Sequence, residues 1–231
     1  LFWHGHFATE ELKNDDYRLM LRQNETMRHA ATSNLRTLLI ALSQDPAMLL
    51  YLDNRLNVKG HANENYAREI LELFSLGVGN YTEQDIKEAA RALTGWRNQG
   101  LRFIDDKVAH DEGEKTLFGQ SGNWDGIDVI DLILAQEACA EFIAGKLYRF
   151  FVTDEADPEL LSALAFELRK HHYELKPFLY RLFSSRAFYA AKNQGSQIKS
   201  PIQFLISTYR KLGLTEIPGT PYFPMATRLL G

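Results

Sequence analysis

Read as a pattern of apolar and polar positions, the chain is dominated by a period near 3.6. Helices are predicted over "YRLMLRQNETMRHAA" (17–31) and "SNLRTLLIALSQDPAMLLYL" (33–52), with Asp45-Pro46 marking a break and restart inside the second. Further helices are expected at 63–77 and 83–95. Thr82 and Asp85 make an approximate capping box for the latter, and Gly77 and Gly79 turn the chain between the two. Asp125 reads as the N-cap of "GIDVIDLILAQ", with Asp128 at its third helical position. A helix at 137–152 follows, then one at 158–171 opened by Asp157-Pro158. Helices at 175–184 and 201–212 complete the set, the last begun by Ser200-Pro201.

One stretch breaks the pattern. Residues 97–124, "RNQGLRFIDDKVAHDEGEKTLFGQSGNW", have no helical period and carry short β-prone pieces at Leu101–Ile104 and Thr116–Phe118. Long loops within compact domains are usually functional or disordered, and Phe103, Ile104, Phe118 and Trp124 supply apolar anchors for an ordered one. The expected fold class is therefore all-α: a multi-helix bundle with one inserted loop or small β-ribbon near 97–124.

Length and composition bound the domain count. The 231 residues, 45% of them hydrophobic, suit a single mainly helical domain over 1–231. The chain opens at Leu1 and closes on "PMATRLLG", which reads as the start of a helix. It is expected to be an internal fragment of a longer protein, with any targeting signal outside it. A net charge of −4 and no basic run argue against a nucleic-acid partner. No transmembrane segment is expected, since no apolar stretch nears the roughly 20 residues a span requires. The one cysteine, Cys139, lies in an apolar helical run and reads as a buried small hydrophobe.

Candidate chemistry concentrates in "NENYAREILELFSLG" (63–77). At about 100° per residue, Glu64, Asn65, Arg68, Glu69 and Glu72 share one face, opposite Tyr66, Ala67, Ile70, Leu71, Leu73 and Phe74. Glu64–Arg68–Glu72 forms an i, i+4 ladder, so the plain expectation is a solvated stripe tied by its own ion pairs. The sharper expectation uses Glu69 and Glu72, whose spacing of three lets two carboxylates converge on a cation between helices. Histidines to complete such a site are available at His4 and His6 in "WHGH" and at His110, beside Asp111. His4 and His6, two apart, share a face only in an extended segment.

Other motifs fail on spacing. "EGEKT" (112–116) lacks the glycine placement of a phosphate loop, and "SGNWDGID" (121–128) lacks the ligand order of a calcium-binding EF-hand loop. No Gly-x-Ser-x-Gly elbow, Cys–His pair or His-Glu-x-x-His helix occurs.

The segments "FWHGHF", "NENYAREILELFSLGVGNYTEQDIKEAARALTGW", "HDEGEKTLFG", "DGIDVIDLIL", "CAEFIAGKLYRFFV" and "KSPIQFLI", in this order from about residue 2 to 213, resemble the bacterial family catalogued as domain of unknown function 1800. The resemblance carries no established activity. It implies a longer protein, export from the cytoplasm, and a partner protein from a neighbouring exported, sulfatase-like family. Its signature segments contain His4, His6, Glu64, Asn65, Arg68, Glu69, Glu72, His110, Asp111, Lys115 and Thr116.

Three functional expectations follow. In the first, a pocket between helix 63–77, "WHGH" and the ribbon uses Glu69, Glu72, His110 and Asp111 as acid and base. A divalent metal there would be held by His4, His6, Glu69, Glu72 and His110, and Arg68, Asn65, Lys115 and Trp124 would bind a ligand. Such a site would suit hydrolysis. In the second, the chain is a non-enzymatic binding or assembly module for a protein or cell-surface polymer, with Trp96, Trp124, Phe103 and Tyr81 as a stacking surface. In the third, the polar stripe is structural, with Arg68 bridging Glu64 and Glu72.

Overall fold

The computed structural model describes residues 1–14, 16–215 and 225. Its contacts divide the chain into two compact units, Leu1–Phe188 and Tyr189–Gly231. The structure is mostly helical, with two small antiparallel sheets of two strands each. No described helix is long and apolar enough to cross a membrane.

Local chemistry sets most element starts. Short helices α1 (Phe2–His6) and α2 (Glu11–Asn14) precede α3 (Tyr17–His29), whose N-cap Asp16 accepts from Arg18 N. Asn34 caps α4 (Leu35–Ser43) and Asp45 caps α5 (Pro46–Tyr51) through the Ala47 and Met48 amides, so the chain does restart at Asp45-Pro46. Asn63 caps α6 (Glu64–Leu71). The full capping box of Thr82 and Asp85 opens α7 (Glu83–Ala92). Asp125 and Asp128 do the same for α8 (Gly126–Ala135), which runs into α9 (Glu137–Phe151). Asp157 caps α10 (Pro158–Lys170), and α11 (Leu175–Phe183) closes the helices of the first unit. In the second unit, Ser200 and Gln203 form the capping box of α12 (Pro201–Lys211). The helix expected to start in "PMATRLLG" falls outside the described residues apart from Met225.

The core of the first unit joins Leu35, Leu38 and Leu42 of α4, Tyr66 and Ile70 of α6, Ile86 and Ala89 of α7, Val129 and Ile133 of α8, and Ile143 of α9. Cys139 is fully buried there, and burial pushes its thiol up to about 12, as expected of a packed apolar group.

Two departures from the predicted elements bear on the site. Helix 63–77 is not α-helical throughout: after Leu71 it widens into a π turn over Glu72–Leu76. Ser75 Oγ bonds the Ile70 carbonyl, and Gly77, at φ +80°, ends the turn with its N–H on Glu72 O. A Cβ on Gly77 would meet the Phe142 ring at 2.8 Å, so the stop is also a close packing point. Secondly, the irregular stretch forms two hairpins rather than one ribbon: β1 (Trp96–Gln99) with β2 (Arg102–Asp105), and β3 (Lys115–Leu117) with β4 (Gln120–Gly122). Gly100 and Gly119, both at positive φ, make the two turns, while residues 106–114 are drawn back against α7.

Candidate functional site

The polar face of α6 is tied mainly to α7. Arg68 makes a bidentate pair with Glu83 at 2.9 and 2.8 Å, and lies 3.6 Å from Glu64. Half of the expected ladder therefore forms, while its main partner, Glu83 in the first turn of α7, was not anticipated. Glu72 leaves the ladder because the π turn reorients it, and its carboxylate accepts from Tyr81 OH. Burial first, and then the hydrogen bond to Glu72 and its charge, push the Tyr81 phenol up to about 12. Glu69 is half-buried; burial, then Glu72, raise its carboxyl above the usual range. Asn65 Nδ2 donates to Leu52 O at 3.1 Å and so fastens α6 to the end of α5.

Two side chains bond carbonyls within the π turn. His6 Nε2 donates to Phe74 O at 3.0 Å, and Lys146 Nζ donates to Leu73 O at 3.2 Å. Lys146 also donates to His6 Nδ1 at 3.3 Å and sits over the Phe142 ring, 4.6 Å from its centroid. Buried among Phe2, Trp3, Phe7 and Phe74, His6 has its pKa lowered to about 4, by desolvation first and by the Lys146 charge second. His4 is exposed. Because "WHGH" is helical rather than extended, the two histidines leave the chain on different faces and do not form a chelating pair.

The third group runs along α7 where it meets the second hairpin. Asp85 accepts from Phe118 N at 2.8 Å, and Glu88 accepts from Thr116 N at 3.2 Å, so two carboxylates of one helix dock the backbone of the second hairpin. Arg91 reaches Glu88 at 2.8 Å, Asp111 at 2.9 Å and the Glu114 carbonyl at 3.1 Å. Its guanidinium holds the Asp111 carboxyl below the usual range. His110 Nδ1 donates to Thr94 O at 2.9 Å, and Asp111 N donates to Thr94 Oγ1 at 2.7 Å. Lys115 Nζ donates to Asn123 Oδ1 at 3.2 Å.

The predicted site residues thus fall into separate groups: Glu64, Arg68, Glu69 and Glu72 with α7's start, His6 with the π turn, and His110, Asp111 and Lys115 with the second hairpin. Among the described residues, no three His, Cys, Asp or Glu side chains are placed to hold a metal ion. Trp124 is half-buried, its indole N–H bonded to Gln120 O at 3.2 Å. Trp96 is buried and packs edge-to-face against Phe103 at 5.5 Å. Phe103 and Trp124 also pack, partly buried, against the core.

An exposed aromatic surface lies elsewhere, on α10 and α11. Phe166 is 65% exposed and Tyr180 75%. A groove of about 510 Å³, lined by Leu160, Ala163, Leu164, Phe166, Arg181 and Ser184, runs along one side of Phe166. A second, also about 510 Å³, lies on its other side, bounded by Glu137, Glu141, Arg169 and Lys170. A third of about 360 Å³ adjoins Tyr180, Pro177 and His171. Sequence reasoning passed over this face, although a signal was present. On a helical projection of α10, Phe166 falls among Glu159, Ser162 and Lys170, opposite the buried stripe of Leu164, Ala165 and Leu168.

A family model described as "Protein of unknown function (DUF1800)" matches residues 1–229. No curated protein and no solved structure matches the chain.

Proposed function

Because the chain belongs to the DUF1800 family of proteins of unknown function, its activity has to be read from its own surface, and we propose that it is a non-enzymatic binding module, its docking face formed by α10 and α11. The carrying observation is the exposure of Phe166 between two grooves, on a helix face that is otherwise polar. Burying a phenylalanine side chain gains roughly 1.5–3 kcal/mol, and aromatic anchors ringed by charge are the usual centre of a protein interface. Leu160, Ala163 and Leu164 give the groove an apolar floor, while Glu167 and Arg181, 3.7 Å apart, supply both signs at its rim. That anatomy fits the apolar face of an amphipathic helix in a partner protein. The exported sulfatase-like protein expected from the family resemblance is the first partner to test.

The experiment places a photo-crosslinking amino acid at position 166, and separately at Val108, which is 92% exposed on the 106–114 loop. The protein is expressed at its native locus in both cases. A discrete adduct with one other protein at 166 and none at 108 is expected. No adduct at 166, or the same adducts at both positions, would overturn the reading.

A second reading rests on Glu69, whose carboxyl is raised by burial and by the nearby Glu72. With Tyr81 bonded to Glu72, this pair would act as acid and base or as ligands of a divalent metal in a hydrolytic site.

A further inference from the structure

Lys115 buries its amine without the ion pair that usually accompanies a buried lysine. It is 1% exposed, and among the described residues its one hydrogen bond is to Asn123 Oδ1 at 3.2 Å. The carboxylates around it are engaged elsewhere: Asp111 and Glu88 pair with Arg91, and Asp125 caps α8. Lys115 begins β3, directly opposite Gly122 of β4, so Asn123 stands at the open end of the same hairpin. Trp124 packs against Gly122 so closely that a Cβ there would meet its ring at 2.6 Å. The strand register thus brings the exposed Asn123 side chain to the buried amine of Lys115.

We propose that Lys115 and Asn123 form an intramolecular amide cross-link. The neutral amine of Lys115 attacks Cγ of Asn123, and the bond from Cγ to Nδ2 breaks. Nδ2 leaves as ammonia, taking up a proton that the attacking nitrogen gives up. One amine and one primary amide become one secondary amide and ammonia, so no oxidant or cofactor enters. Burial supplies the reactive form: desolvation, the largest influence on Lys115, lowers its pKa and favours the uncharged nucleophile. The product would close the second hairpin covalently across residues eight apart, in a chain whose single cysteine allows no internal disulfide.

Intact-mass measurement of the whole protein tests this, together with Lys115→Arg and Asn123→Ala variants and peptide mapping with a lysine-specific protease. The parent is expected to be lighter than its sequence mass by one ammonia. The peptides carrying Lys115 and Asn123 should be joined, with cleavage after Lys115 blocked, and both variants should have their sequence masses. A parent at its full sequence mass after long incubation at neutral pH overturns the cross-link. So does an ammonia deficit that persists in either variant, because the loss then arises elsewhere.

Discussion

Replacing Arg91 by alanine is expected to destabilise the Leu1–Phe188 unit by about 2–3 kcal/mol in urea unfolding, with its helical content retained in the absence of denaturant. The guanidinium serves three acceptors at once: Glu88, Asp111 and the Glu114 carbonyl. Removing it leaves two acidic side chains facing one another with their neutralising partner gone. Glu88 is buried and still holds Thr116 N, so it cannot turn out to water without releasing β3. Partial exposure of Arg91 and Asp111 puts the cost below that of a fully buried pair. Lysine at position 91 should recover only part of the loss, since one ammonium cannot reproduce the fork that spans Glu88 and Asp111. A cost under about 0.5 kcal/mol, the range of an ordinary surface change, would show that the network does not hold the hairpin.

A comparable effect is expected from pH through His6. Its pKa is lowered to about 4 in the folded chain from the ordinary 6.5 of a histidine, because burial and then the Lys146 charge both oppose a second cation. Between those values the unfolded chain binds a proton that the folded one does not, so stability rises with pH. The contribution is fully present above 6.5 and is lost as pH falls toward 4, a change of about 3 kcal/mol for this shift. Protonation in place would also turn Nδ1 from an acceptor into a donor facing the Lys146 ammonium at 3.3 Å. The measurement is unfolding free energy against pH for the parent and His6→Gln, whose side-chain amide can still donate toward Phe74 O. Asp45 and Glu69, raised carboxyls, contribute the opposite slope and are common to both proteins, so the difference curve isolates His6. Parallel curves would remove His6 from the account.

What was legible in the sequence is what local chemistry decides. Asp45, Thr82, Asp125, Asp157 and Ser200 start helices where their side chains can reach the next free amides, and nothing distant is needed to see it. The polar face of α6 was also visible, because periodicity reports which side of a helix is wet. Partners were not, since His6 and Phe74 are 68 residues apart and Arg91 and Asp111 are 20 apart. The π turn escaped for the same reason: it needs Ser75 bonded back to Ile70 and Phe142 packed over Gly77. The pattern of 97–124 shows one loop or small ribbon and not two hairpins, because the attachment of residues 106–114 to α7 depends on Thr94 and Arg91, outside that stretch. His4 and His6 were considered as a chelating pair only because α1 was not foreseen. The polar residues that suggested chemistry are largely those that brace one element against another, and a sequence shows both roles with the same letters.

If the chain is the non-enzymatic module proposed above, the carboxylates and histidines of these motifs brace one element against another and hold no ion. Metal content, measured by plasma mass spectrometry on protein purified without a metal-binding tag, tests it most directly, with a Glu69→Ala/Glu72→Ala variant alongside. The expected result is no stoichiometric metal in the parent and none in the variant, with the variant still folded. Near-stoichiometric metal in the parent, lost in a folded variant, would contradict the account and make the α6 glutamates a ligand platform.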